Sequence, residues 1–493
     1  MLLVLTIASS LLGGAAIFLL GEHRGRSRTF TNLALAVFKV AIILVMLVGA
    51  ARGETYELRV SLLPGLDFVL EADALAFLFA TLSAVLWFLT TIYAIGYLEH
   101  SPGRARFFGF FAWCVCATTG VAFAGNLFTF LVFYEMLTLA TYPLVVHRGT
   151  EKAIQAGKIY LAYTFIAGAV LLLAIIWLRS IVGPVEFHEG GVLNDYVDSH
   201  RLELQLIFAL LIAGFGVKAA LFPLHGWLPQ AMVAPAPVSA LLHAVAVVKA
   251  GGFGIVRTVY DVYGISTANT LGLLAPLSII ASFTIIYGSA RAVTQDDLKR
   301  RLAFSTVSQV SYIALGASIF GPVATVGGIV HIVHQALMKI TLFFAAGNFA
   351  ETLHIHKVSE MAGVGRRMPW TMTAFTVAAL GMIGMPPFAG FVTKWYLAQG
   401  ALSAGQDWVI LVLITSAILN AAYFLPILYT AWFEKPLAHA SHEDRGAHRF
   451  ECPLSLLAPP CITAALAIAA GLFAGMEWSP LDWANFVMEL EYE

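Results

Sequence analysis

Among the charges inside the long apolar runs of this 493-residue sequence are four lysines and a glutamate. Glu135 sits in Leu131-Val-Phe-Tyr-Glu-Met-Leu137, Lys218 in Gly214-Phe-Gly-Val-Lys-Ala-Ala220 and Lys249 in Ala246-Val-Val-Lys-Ala-Gly251. Lys394 sits in Phe391-Val-Thr-Lys-Trp395, and Lys339 closes the stretch that begins at His331. If such runs cross a bilayer, each charge costs about 2.5–3.5 kcal/mol on the insertion scale and is by default a functional-site hypothesis. A buried lysine must be partnered or neutral, because burial disfavours its charged form and a nearby carboxylate favours it. Glu135 is the natural partner for Lys218, and such a pair can hold or release a proton as the two groups approach or separate. The plainer reading of Glu135 is a structural ion pair. For Lys394 it is a side chain that snorkels to an interface, which the apolar residues on both sides of it disfavour.

His331 and His334 are three residues apart and share one helical face. An i, i+3 histidine pair can ligate a metal, but no Asp, Glu or Cys stands near it on this stretch. Imidazole titrates near neutrality, so proton relay is the better reading and no metal is expected. His243 and Lys249, six residues apart, fall 120° apart modulo a full turn and about 9 Å apart along an ideal helix. They do not share a stripe, and a hydrogen-bonded packing histidine accounts for His243 as well as a relay does. No phosphate loop, dinucleotide fingerprint or H-E-x-x-H occurs, so nucleotide-driven or intrinsic redox chemistry has no support and no cofactor is expected. Cys114, Cys116, Cys452 and Cys461 lack paired spacing and read as buried thiols.

These groups need a scaffold whose solvent is the bilayer. The composition is 59% hydrophobic and 12% charged, with a mean hydropathy of +0.83, outside the range of ordinary soluble domains. A net charge of −1 with scattered bases gives no reason to expect nucleic-acid binding. The first apolar stretch lacks the basic start of a secretory signal and is expected to be a retained helix.

Stretches of about 20 apolar residues number about fourteen. They are 1–21, 30–51, 72–98, 106–124, 127–146, 156–182, 204–231, 236–260, 269–291, 299–318, 323–349, 369–401, 406–433 and 455–477. Loops after odd-numbered segments carry the bases, such as Arg24, Arg104, Arg148, Lys299, Arg366, Lys435, Arg445 and Arg449. Those after the second and sixth carry acids, such as Glu54, Asp73, Glu186 and Asp198. Because bases concentrate on the cytoplasmic side, this alternation predicts both termini outside. The reading is a single transmembrane domain over 1–493, all α-helical.

Segments seven and twelve are broken, at Phe222-Pro-Leu-His-Gly226 and at Gly384-Met-Pro-Pro387, each beside a buried lysine. Proline removes a helix hydrogen bond, and a broken membrane helix is tolerated where it lines a cavity or faces protein. The breaks lie five segments apart, an odd offset that reverses orientation. Residues 106–260 and 269–433 are therefore expected to be inverted five-helix repeats.

Five stretches carry a family resemblance: Phe133-Tyr-Glu-Met-Leu137, Lys218-Ala-Ala-Leu-Phe-Pro-Leu-His-Gly-Trp-Leu-Pro229, Ala234-Pro-Ala-Pro-Val-Ser-Ala-Leu-Leu-His243, Asp297-Leu-Lys-Arg-Arg-Leu-Ala-Phe-Ser-Thr306 and His331 through Lys339. Over roughly 70–435 the sequence resembles the antiporter-like, proton-conducting membrane subunits shared by Mrp-type sodium/proton antiporters, respiratory complex I and membrane-bound hydrogenases. The resemblance implies a fourteen-helix fold with inverted repeats and a Glu135–Lys218 pair. It also implies a central site at Lys249, a bridge between the halves at Lys339 and the helix-eleven histidines, and a helix-twelve lysine at Lys394. It implies partners too: other membrane subunits of an antiporter or respiratory complex, protons and Na+. The absence of a long lateral helix before the closing acids Glu489, Glu491 and Glu493 makes the compact D-type Mrp subunit the first expectation, in a bacterial or archaeal plasma membrane. Two alternatives stand beside it, a proton-pumping subunit of a redox enzyme and a membrane scaffold that transports nothing.

Overall fold

A computed structural model describes residues 1–436 and 451–492. Arg445, Arg449 and Glu493 lie outside the described residues. Helices α1 (Leu2–Leu20), α2 (Gly25–Ala50), α3 (Ala74–Tyr97), α4 (Arg104–Ala122), α5 (Leu127–Val145) and α6 (Glu151–Val182) begin the chain. Polar residues punctuate the apolar text: Asp73, Asn126 and Thr150 cap α3, α5 and α6 by accepting from backbone amides of the first turn. A hairpin of β1 (Glu57–Leu63) and β2 (Leu66–Glu71) fills the acidic loop before α3. It is a small exception to the all-helical expectation.

The broken seventh segment is α7 (Arg201–Lys218) followed by irregular chain and α8 (Trp227–Gln230). The eighth comprises α9 (Ala236–Ala240), a π turn at Leu241–Val245, α10 (Val247–Arg257) and a second π turn at Thr258–Tyr263. After α11 (Ile265–Thr270) come α12 (Leu274–Val293), α13 (Leu298–Ser318), the long α14 (Pro322–Leu353) and short α15 (Val364–Arg367). The twelfth segment is split into α16 (Pro369–Ile383) and α17 (Ala389–Ser403), and α18 (Trp408–Phe433), α19 (Leu454–Leu472) and α20 (Pro480–Tyr492) complete the set. The acids Glu489 and Glu491 therefore lie on a helix beyond the last of the expected segments. Helix occupies each of the segments read from the sequence. Among the described residues eleven spans are long and apolar enough to cross a membrane by length and composition.

In the first half α4 packs on α5, α5 on α6, α6 on α7 and α7 on α10. The second half repeats that order, with α12 on α13, α13 on α14, α14 on α16 and α17, and α16 on α18. α14 also touches α9, the π turn and α10, and so joins the halves. Loops sort into two sets. Arg59 of the hairpin binds Glu186 at 2.6 Å, and Val192 N donates to Val262 O at 3.0 Å, so the acidic loops meet one another. Basic loops likewise meet, through Glu22 with Ala105 N at 2.7 Å and Arg106 with His147 O at 2.9 Å.

Candidate functional site

Glu135 is half-buried on α5, with its carboxylate laid against Gly168 of α6. A Cβ at Gly168 would stand 2.6 Å from Glu135 Oε1, so a larger residue there would push the carboxylate aside. That Oε1 is buried without a hydrogen-bond partner. Lys218, fully buried as the last residue of α7, turns instead to Tyr134: its Nζ donates to the Tyr134 carbonyl and lies 3.3 Å from the ring centroid. Glu135 and Lys218 sense each other electrostatically, yet no ion pair within 4 Å joins them. The direct pairing expected from sequence is replaced by a carbonyl and an aromatic face, both favourable partners for an ammonium.

Lys249 follows across a close backbone contact. A Cβ on Gly251 would lie 2.2 Å from Ala219 N and 2.7 Å from Lys218 C, so α10 presses directly on the end of α7. Lys249 Nζ is buried and without a partner. It is the charge that His331, His334 and Lys339, all on α14, have in common as an electrostatic neighbour. His331 Nε2 pairs with Gln309 O at 3.0 Å, and His334 Nδ1 with Thr393 Oγ1 at 3.0 Å. Each keeps its other ring nitrogen without a partner. Lys339 donates to Ser305 Oγ, and to Leu302 O at 3.3 Å.

His243 departs from the ideal-helix expectation. It lies inside the π turn, and Ala246 (φ −123°, ψ −80°) interrupts the path to Lys249, so the 120° offset does not apply. Its ring stacks on Phe343 at 4.5 Å, both ring nitrogens are buried without partners, and its electrostatic neighbours are Lys339 and Lys299 rather than Lys249.

Lys394 crosses the break of the twelfth segment and donates to Ile383 O and, at 3.3 Å, to Met382 O, the last carbonyls of α16. A helix C-terminus is a cation site because its carbonyls are unsatisfied and its dipole is negative there. Gly384, at φ +94°, makes room: a Cβ there would meet Lys394 Cδ at 2.6 Å. Met382 O also accepts from Asn420 at 3.0 Å, linking α16 to α18.

The structure thus brings the buried Lys249, His331, His334 and Lys339 and the half-buried Lys394 into one group around α14, with Glu135 and Lys218 adjoining through α10. Sequence reasoning missed three features. Lys39 of α2 is fully buried, donates to Thr119 Oγ1 at 3.1 Å and lies 5.7 Å from the Trp87 ring. It gives the same signal as Lys218, a lone charge in an apolar run. Lys299, a loop base by sequence, donates to Ala234 O. Arg257 and Asp261, an i, i+4 pair, are buried and bonded at 2.8 Å.

Residues 124–419, more than half of the chain, match the family described as NADH:quinone oxidoreductase/Mrp antiporter, TM. Residues 64–108 match NADH-Ubiquinone oxidoreductase (complex I), chain 5 N-terminus. The chain is 36% identical to the NADH-quinone oxidoreductase subunit N of Desulforudis audaxviator, over 86% of this chain and 85% of that protein. It is 25% identical to the D-type subunit of the Na(+)/H(+) antiporter of Alkalihalophilus pseudofirmus, over 88% of this chain and 87% of that one. In fold it is similar to a chain of the Mrp complex from Dietzia sp. (TM-score 0.86, 23% identity, 99% of both chains covered). It is likewise similar to a chain of the membrane-bound sulfane sulfur reductase, an archaeal respiratory membrane complex (TM-score 0.85, 23% identity, 99% of this chain and 97% of that one). On these matches and the buried ionisable row, the chain is a multi-pass membrane protein that belongs to the NADH:quinone oxidoreductase/Mrp antiporter membrane family.

Proposed function

We propose that this chain is the proton-translocating subunit of a multi-subunit, Mrp-type monovalent cation/proton antiporter, a secondary transporter that works beside other membrane subunits. The observation that carries the reading is the continuity of ionisable groups. Glu135, Lys218, Lys249, His331 and Lys394 follow one another on packed helices, with His334 and Lys339 at the junction and His243 beside it. Buried polar atoms ordinarily find partners. The unpartnered Glu135 Oε1, Lys249 Nζ, His331 Nδ1 and His334 Nε2 are best satisfied by water, which also conducts protons between them. Fourteen crossings, inverted repeats at 106–260 and 269–433, and both termini outside a bacterial or archaeal plasma membrane complete the proposal. The repeated packing order and the two sets of loops support them.

A second reading, a proton-pumping subunit of a quinone-reducing complex or membrane-bound hydrogenase, is favoured by the 36% identity to a subunit N. It uses the same row, driven by electron transfer in a neighbouring subunit. The test is reconstitution of the co-purified complex in proteoliposomes. Glu135→Gln, Lys218→Ala and Lys249→Ala are each expected to abolish proton-coupled cation exchange while the complex still assembles. Exchange retained in all three sinks the proton path. Iron–sulfur subunits in the purified complex transfer the same path to the second reading.

A further inference from the structure

At the face where the acidic loops meet, one guanidinium stands among three carboxylates. Arg257 Nη1 lies 2.6 Å from Asp73 Oδ2 and 2.8 Å from Asp261 Oδ1, and Nη2 donates to Asp73 Oδ1 at 2.9 Å. Glu491 of α20 faces the same small cavity of about 10 Å³, with Glu189 at its rim. Asp261 and Glu491 are only 2% and 6% exposed. Asp261 Oδ2 is buried without a hydrogen-bond partner, and its residue lines this cavity. Glu491 Oε2 accepts the Gly190 amide, at 3.2 Å.

The charges do not balance. Three carboxylates against one guanidinium leave an excess of negative charge around the buried Asp261 and Glu491, with Asp73, 23% exposed, at the more open edge and Glu71 nearby. Like charges held close disfavour one another's ionised form, so such a cluster retains a proton. Among the described residues no three His, Cys, Asp or Glu side chains are gathered in a way that suits a metal ion. A proton is therefore the better ligand. Burial, with Asp261 close by, pushes the Glu491 carboxyl up to about 9.

Hydroxyls lead from this cluster to α14. Tyr492, next to Glu491, lies 3.0 Å from Thr325 Oγ1, and Tyr260 OH donates to the same oxygen at 2.9 Å. Thr325 stands six residues before His331 on α14, about 9 Å along the axis and about 120° round it, so the two lie on different faces of that helix. Lys249 stands eight residues before Arg257, about 12 Å. We propose that Asp73, Asp261 and Glu491, held around Arg257, form a proton-loading site where the path opens to the acidic-loop face, joined to His331 through Tyr492, Tyr260 and Thr325. The proposal rests on the proton-path reading and assigns that path a mouth.

The test uses the whole complex in proteoliposomes, with infrared difference spectra and exchange rates for wild type, Glu491→Gln, Tyr492→Phe and Lys249→Ala. At neutral pH the wild type should show a protonated-carboxyl band that Glu491→Gln removes. That variant should slow exchange at least about tenfold and alter its dependence on pH. Tyr492→Phe, which deletes one oxygen and keeps the packing, should slow exchange while the band remains. An unchanged band in Glu491→Gln overturns the protonated site, and normal exchange in that variant overturns the mouth. If Glu491→Gln fails to assemble, normal exchange in Tyr492→Phe overturns it alone. Lys249→Ala separates the two claims: full exchange there defeats the path itself, whereas its loss alongside normal exchange in Glu491→Gln defeats only the mouth.

Discussion

Lys249→Met is expected to make the protein more stable and inactive. The lysine is buried at 1% exposure, and its Nζ has no hydrogen-bond partner. Methionine keeps the length and roughly the volume of the side chain and removes the ammonium. On the insertion scale a charged group at mid-helix costs about 2.5–3.5 kcal/mol, so with imperfect repacking the gain should be about 2 kcal/mol. Lys218→Met provides the control. It also removes a buried cation, but forfeits the bond to the Tyr134 carbonyl and the contact with the Tyr134 ring. A hydrogen bond from a charged group is worth about 1.5–3 kcal/mol and a desolvated cation–π contact about 2, so this substitution should be neutral or destabilising. The two variants should therefore differ by about 2 kcal/mol or more, about thirtyfold in the unfolding constant. Denaturant unfolding of the purified complex measures the difference, and proteoliposome exchange should be lost in both. Equal destabilisation would refute the claim that Lys249 is held without a structural partner. Surviving exchange in Lys249→Met would refute its place in the path.

Gly251→Ala should cost about 1–3 kcal/mol, because its new methyl would fall 2.2 Å from the Ala219 amide nitrogen and backbone cannot yield as a side chain does. The loss should appear as a lowered unfolding midpoint, and a midpoint within error of wild type would contradict the close approach of α10 to α7. The raised Glu491 carboxyl predicts a slope in stability. The folded state binds a proton that the unfolded chain has released over the window from the ordinary carboxylate range up to about pH 9. The stabilisation is full below that window, falls as pH rises through it, and is lost above it. Glu491→Gln should flatten this part of the profile, and an unaltered slope would contradict the assignment.

Much is legible in the residues because the signals are local. Apolar length marks a crossing, a proline with glycine and a lysine close by inside one marks a break where Pro459-Pro460 alone in α19 does not, and a charge within one stands out against its neighbours. Glu135, Lys218, Lys249, Lys339 and Lys394 all stand out that way. Lys39 gives the same signal and belongs with them. The hairpin at 57–71 also has a local signal, Leu58, Val60 and Leu62 alternating with polar residues before a Pro64-Gly65 turn, but its strands are too short to register as crossings.

What the chain by itself determined was membrane residence, the helical segments, the two breaks and the identity of the buried ionisable groups. The tertiary structure decided whom those groups meet. Lys218 turns to Tyr134 because α5 presents a carbonyl and a ring there, while Lys394 finds the open carbonyl end of α16. A π turn shifts His243 out of the register that an ideal helix would give it. Arg257, bonded to Asp261 four residues on, also meets Asp73 and shares a small cavity with Glu491, both far away in the chain. Such meetings depend on how helices cross, which packing sets and local spacing does not encode.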